Sequence, residues 1–208
     1  MKNLKRRVSV IICIMLAFML VSCNLKKGEN KEEQKNIKIT DSYGKELTFD
    51  KAPERIVSLS PGATETIYAL NKENTLVGRS DFDDYPAAVS NVKSVGGVKD
   101  PSIEKITELK PDLVIGGAHF SKDTVKKLED LGIKVAVLYG AEDLDGAYKN
   151  IMDISTILGV AEKGKTIVNS MKKKVESVEN KVKSLNKPKI YYVVDFGKQI
   201  LLLEEILL

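Results

Sequence analysis

Ser60 and His119 are the two side chains whose types and settings best suit chemistry. Ser60 ends the β-forming run Ile56-Val-Ser-Leu59 and precedes Pro61-Gly62, while His119, the single histidine, follows Asp112-Leu-Val-Ile-Gly-Gly-Ala118. Each therefore stands where a buried strand gives way to a turn, and open α/β sheets bind ligands at the carboxyl ends of their strands. A serine hydroxyl and an imidazole are the nucleophile and base of an α/β hydrolase, which is one reading of the pair. The local pattern opposes it, because Ser60 is not set in Gly-x-Ser-x-Gly and no acid is evidently placed to orient His119. His119 is also a candidate axial ligand for the metal of a haem or corrinoid, against the plainer reading of a loop histidine.

Asp81, Asp83 and Asp84 form a second cluster, interleaved with Phe82 and Tyr85. The cluster suggests an oxygen-ligand cation site or a polar pocket rim, but the spacing lacks the glycine and terminal glutamate of an EF-hand loop, and a solvated acidic loop is the plainer expectation. Phe82 and Tyr85 carry more interest, since aromatic faces wall clefts for flat or bulky ligands. Gly96, Gly97, Gly116 and Gly117 allow close backbone approach, but no Gly-Lys-Ser/Thr follows either pair to make a phosphate loop. Glu65, near a helix start, reads as a residue favoured by the helix dipole rather than as a catalytic acid.

The amino end bears on location. Lys2, Lys5, Arg6 and Arg7 precede the apolar run Val8–Val21, the two parts of a secretory signal. The run is short of the roughly 20 residues that span a bilayer, and Leu20-Val-Ser-Cys23 looks like a lipobox, with lipid on the Cys23 sulfur after cleavage. Outside the leader the chain keeps 29 basic and 29 acidic residues, so its formal +4 charge gives no ground for nucleic-acid binding. With Cys13 in the leader and Cys23 lipidated, no cysteine is left for a disulfide or a thiolate metal site.

The elements that position these residues follow from local pattern. Residues 37–49 read as a hairpin. Strands are expected at Arg55–Leu59, Thr75–Gly78, Asp112–Ile115 and Lys134–Leu138, alternating with helical stretches, which argues for a parallel sheet flanked by helices. Helices are expected at Ala63–Leu70, at Ile103–Leu109 with an Asp100 cap and Pro101 in first position, at Ser121–Leu131 ended by Gly132, and at Asp143–Leu158 closed by Gly159. From Ala161 to Leu185 apolar residues recur at Val168, Met171, Val175, Val178, Val182 and Leu185. That stripe packs on its own domain or pairs in a coiled coil, the latter being the mark of a membrane-tethered interaction module.

Arg55-Ile-Val-Ser-Leu-Ser-Pro-Gly-Ala-Thr-Glu-Thr-Ile-Tyr-Ala-Leu70, preceded by the hairpin and followed by Tyr85-Pro86, Val95-Gly-Gly97 and Pro101-Ser-Ile-Glu-Lys-Ile-Thr-Glu-Leu-Lys-Pro-Asp-Leu-Val-Ile115, resembles the helical-backbone solute-binding proteins of ABC importers. The resemblance covers roughly residues 37–197, and its strength lies in the combination and order of the pieces. It implies an α/β protein that performs no chemistry and needs no cofactor. Such a protein captures a ferric siderophore, haem or cobalamin-type ligand, a metal chelate or corrinoid, and delivers it to an ABC permease. It also implies a domain plan: a lipoprotein signal at 1–22, a flexible tether at 23–36, an N-terminal lobe with a mostly parallel sheet at 37–160 and a long interlobe helix at 161–187. Residues 188–208 would open a second lobe with the strand Ile190–Val194 and then end in an atypical apolar tail, so that lobe is expected to be largely missing.

By the same resemblance Ser60, Pro61, Gly62, Phe82, Tyr85, Gly97, His119 and Phe120 line the ligand cleft, and Glu104 pairs with arginines on the permease. Cys23 holds the protein, as a monomer, on the outer face of the cell membrane. The bland alternatives are a core role for Tyr85 and an ordinary exposed carboxylate for Glu104.

Overall fold

A computed structural model describes residues 36–140 and 143–189 of the chain. Cys23, the tether and the strand expected at Ile190–Val194 lie outside the described residues. β1 (Ile37–Thr40) and β2 (Glu46–Phe49) pair antiparallel as the expected hairpin. β3 (Ile56–Leu59), α1 (Pro61–Ala69), β4 (Leu76–Arg79), α2 (Ile103–Glu108), β5 (Leu113–Gly116), α3 (Lys122–Asp130), β6 (Lys134–Val137), α4 (Leu144–Ile157) and α5 (Ala161–Val182) follow. The four later strands form one parallel sheet in the order β4-β3-β5-β6.

The central strands β3 and β5 are buried at every position because both faces of the sheet are covered there. Side chains alternate across it. Ile56, Leu113, Ile115 and Ala136 join the hairpin residues Ile37, Ile39, Leu47 and Phe49 and the α1 and α4 residues Ile67, Ile154 and Ile157. Val57, Leu59, Val114, Val135 and Val137 face the other way, onto Ile106 of α2, Leu128 of α3 and Phe120. Each fully buried branched aliphatic or aromatic side chain contributes about 1.5–3 kcal/mol by removal from water, so this double core is the main support of the lobe.

The strand starts are pinned by charge. Asp112 accepts from the backbone N–H groups of Glu54 and Arg55 at 2.8 and 3.0 Å, and the Arg55 guanidinium donates to the carbonyls of Leu109 and Lys110. Ser121 and Asp143 cap α3 and α4 through their side chains, as expected for short oxygen-bearing residues at helix starts. The start of α2 differs from expectation. Its cap is Ser102, whose hydroxyl accepts from the Lys105 N–H at 3.2 Å, while Pro101 pairs with Gly96 in an isolated antiparallel bridge. The chain at Asp100 and Pro101 is held by that bridge rather than by the helix.

α5 packs on α4 through its first half and then leaves it. Val168 is buried, whereas Val178, Val182 and Leu185 are exposed. The two helices approach closely at Gly164, where an added Cβ would overlap the buried side chain of Ser155. At an exposed helix site Gly→Ala stabilises by roughly 0.5–1 kcal/mol. Gly164→Ala is expected to reverse that sign and lower stability by about 1–3 kcal/mol through overpacking. Urea unfolding checks it, and a midpoint raised by the substitution would show that α4 and α5 do not meet here.

Candidate functional site

The strand order reverses direction between β3 and β5, with β4 added on one side of β3 and β5 then β6 on the other. At such a switch point the loops leaving the two central strands diverge and open a crevice at their carboxyl ends. Ile56 pairs with Leu113 and Leu59 with Gly116, so the two strands end level. Ser60 and Gly117 therefore meet, and an added Cβ at Gly117 would lie 3.2 Å from the Ser60 hydroxyl. The glycine is a matter of space here, and any larger residue would crowd the crevice floor.

Ser60 is the N-cap of α1, extended at φ −149° and ψ 114°, and its hydroxyl makes no capping bond. Its carbonyl is held instead, by the buried Ser58 hydroxyl at 3.1 Å and the Thr64 N–H at 3.0 Å. Pro61 presets the first helical turn. Gly62, exposed with open space about it, sits at the positive end of the helix dipole.

A second wall comes from the loop after β4. Phe82 and Tyr85 are 63% and 67% exposed, and Phe82 lies beside Gly97, 3.9 Å from where a Cβ would stand. Gly97 is reached through Gly96, whose φ of +108° and contact with the Ser102 backbone leave no place for a side chain. Both rings face out of the core, so a core role for Tyr85 is set aside. The three carboxylates of this loop do not converge. Asp81 bonds Ser94, Asp83 is buried and bonds Ser80, and Asp84 is exposed. The expected solvated acidic loop is thus corrected at Asp83. No group of three or more His, Cys, Asp or Glu residues suited to a metal occurs among the described residues.

The third wall follows β5. His119 is exposed on the turn, and among the described residues no carboxylate orients it and no hydrogen bond joins it to Ser60. Phe120 departs from expectation. Its ring is 1% exposed in the core, packed so closely under β5 that a Cβ at Gly116 would overlap it. The chain turns inward after His119 because Leu59, Val114, Val137 and Leu128 leave a ring-sized space on that face of the sheet. Phe120 therefore meets the rim only through its carbonyl, which accepts the Tyr43 hydroxyl at 2.6 Å.

Tyr43 and Tyr139 belong to the same rim and are absent from the sequence-derived set. The hairpin tip docks at the end of β6, where Ser42 donates to the Val137 and Tyr139 carbonyls and accepts from the Tyr139 N–H. The two rings meet edge to face at 6.4 Å, and the Lys122 ammonium stands 5.3 Å from the centre of the Tyr43 ring. Tyr139 had a usable signal, since it follows a predicted strand as His119 does. Tyr43 reaches the rim only through the docking of the hairpin, for which the sequence carries no mark. Glu104 is exposed in the first turn of α2, away from the core contact made by Ile106.

Four loops of backbone, glycine and aromatic faces thus surround the switch point of a parallel α/β sheet. The family model described as periplasmic binding protein matches residues 56–204, and the chain belongs to that family. It is 33% identical over 194 residues to an uncharacterized ABC transporter substrate-binding lipoprotein of Bacillus subtilis, YvrC, an alignment spanning 88% of this chain and 62% of that protein. It is 29% identical to a probable siderophore-binding lipoprotein of Bacillus subtilis, YfiY, across 86% of this chain and 57% of the other. The periplasmic vitamin B12 binding protein BtuF of Vibrio cholerae superposes with a TM-score of 0.61 at 30% identity, covering 69% of this chain and 56% of that one. The chain thus spans about three fifths of the length of these relatives.

The contact between Gly116 and Phe120 is testable. Gly116→Ala is expected to cost about 1–3 kcal/mol, because the buried ring has nowhere to go. Phe120→Leu in the same chain should return part of that loss. A double-mutant cycle with no coupling would place the ring elsewhere.

Proposed function

We propose that this chain is the substrate-binding component of an ABC importer, exported and lipid-anchored through Cys23, and that its switch-point cleft takes a bulky metal chelate or corrinoid. The observation that carries the reading is the exposure of Phe82, beside Gly97, and of Tyr85 on the same loop. Rings of this size are normally drawn into a core, and two left in water on one loop, one of them beside a glycine, suit stacking on a flat or bulky ligand. The relatives named for siderophore and vitamin B12 binding agree with that class.

The work proposed is binding without chemistry. Ser60, Gly62 and the N-terminus of α1 offer hydrogen-bond donors to ligand oxygens, Phe82 and Tyr85 offer faces, and Gly97 and Gly117 admit close approach. His119 stands at the rim, with an imidazole free to meet polar groups of the ligand. Glu104 is proposed as the carboxylate that sets the register of docking on permease arginines.

Titration with haemin, cyanocobalamin and a ferric hydroxamate chelate, followed by absorbance and tyrosine fluorescence, tests the reading. One of the three is expected to saturate the protein. Phe82→Ala and Tyr85→Ala should each weaken that probe roughly tenfold, the scale of one lost aromatic contact of ~1.4 kcal/mol. Saturation unchanged by both substitutions would move the site off this loop.

Two further substitutions separate anchoring and delivery from capture. Cys23→Ala should release the protein from the membrane fraction, and retention there would rule out the lipid anchor. Glu104→Lys should abolish uptake of the bound probe by cells while leaving its affinity unchanged. Uptake at the parental rate would return Glu104 to an ordinary surface carboxylate.

A further inference from the structure

The loop leaving β4 is built inside out. Asp83 is 3% exposed, while the neighbouring rings of Phe82 and Tyr85 are 63% and 67% exposed. A loop free to relax in water would do the reverse, because a carboxylate loses strong hydration on burial and a ring gains by it.

A closed set of bonds holds the inversion. Asp83 Oδ2 accepts from the Ser80 N–H at 2.8 Å and from the Ser80 hydroxyl. The Ser80 oxygen in turn accepts from the Phe82 N–H at 3.2 Å, so the carboxylate is two bonds from the backbone of the exposed ring. Behind it Arg79, the last residue of β4, donates to the Ser80 carbonyl at 2.8 Å and to the Val89 and Val92 carbonyls at 3.1 and 3.2 Å. One guanidinium thereby ties both ends of the loop to the sheet. Asp83 Oδ1 is buried without a hydrogen-bond partner among the described residues. An incompletely bonded buried carboxylate is a feature that stability alone does not select, and it directs attention to what the loop presents.

The geometry points to Asp83, with Ser80 and Arg79, as positioning residues that hold Phe82 and Tyr85 out of the core as a preformed aromatic face, with Phe82 against Gly97. This rests on the reading of the cleft as a ligand site. A ring already fixed in its bound orientation loses less freedom on binding, so the network acts on affinity without touching the ligand.

The chain contains no tryptophan, so Phe82→Trp in the full chain places a single indole on the loop. Its anisotropy and its quenching by acrylamide report order, and its quenching by haemin, cyanocobalamin or a ferric hydroxamate chelate reports affinity. In that background Asp83→Ala is expected to raise acrylamide quenching about twofold and weaken the bound probe about tenfold, with only a small shift in thermal midpoint. Asp83→Asn should restore most of both, since its side-chain oxygen still accepts from Ser80. Asp84→Ala, at the exposed neighbour, should change neither. An indole as ordered in Asp83→Ala as in its parent overturns the inference, and so does an equal effect of Asp84→Ala. Should Asp83→Ala fail to fold, Ser80→Ala removes only the hydroxyl link and decides by the same readouts. If none of the probes binds the parent, the ligand-site reading falls, while the order of the indole still decides whether Asp83 positions the loop.

Discussion

The level pairing of β3 with β5 is the constraint on which the rest of the lobe depends. These strands are buried on both faces, and their register from Ile56–Leu113 to Leu59–Gly116 brings the two loops that leave them to the same height. Because the order of the sheet turns over at this pair, those loops cannot pack along each other and must part. Shifting the pairing by one residue would turn the apolar sets of one strand to the wrong faces of the sheet. The position of the crevice is therefore tied to the packing of the core.

The features of the rim follow from that arrangement at progressively greater distance. Ser60 and Gly117 form the floor by direct continuation of the central strands. Phe82 and Tyr85 stand on a loop that needs Arg79 and Asp83 to hold it, and Tyr43 and Tyr139 need the hairpin to dock on β6. The farther a rim residue lies from the central pair, the more its placement depends on side-chain hydrogen bonds rather than on the sheet. Binding loops on a rigid scaffold commonly divide the labour in this way.

The legibility of the chain follows the same gradient. All four parallel strands fall within a residue or so of their expected places, and the helix starts expected at Ser121 and Asp143 fall on the residues that cap α3 and α4. Membership of the family was also readable from the order of short motifs. The cap of α2 is not legible locally, because Asp100 and Pro101 are taken up by the bridge to Gly96, a pairing across the chain that leaves no local trace. The place of Phe120 is hidden for a related reason. A ring after a strand can turn to the rim or to the core, and the choice is made by the space above Val114, Val137 and Leu128. Asp83 is the sharpest case, since a run of aspartates reads as solvated, and only its bonds to Ser80 show which carboxylate turns inward.

The central claim is that a bulky chelate or corrinoid rests on the carboxyl ends of β3 and β5. The most direct test is nitrogen-15 amide NMR of the protein with whichever of haemin, cyanocobalamin or a ferric hydroxamate chelate it binds, the iron compounds read by paramagnetic broadening and the corrinoid by shift changes. The account predicts that the amides of Gly62, Phe82, Gly97 and Gly117 respond first and most. Those at the opposite end of the sheet, around Glu54, Lys110 and Gly132, should stay unaffected. Responses centred on that opposite end, or spread evenly over the lobe, would contradict it.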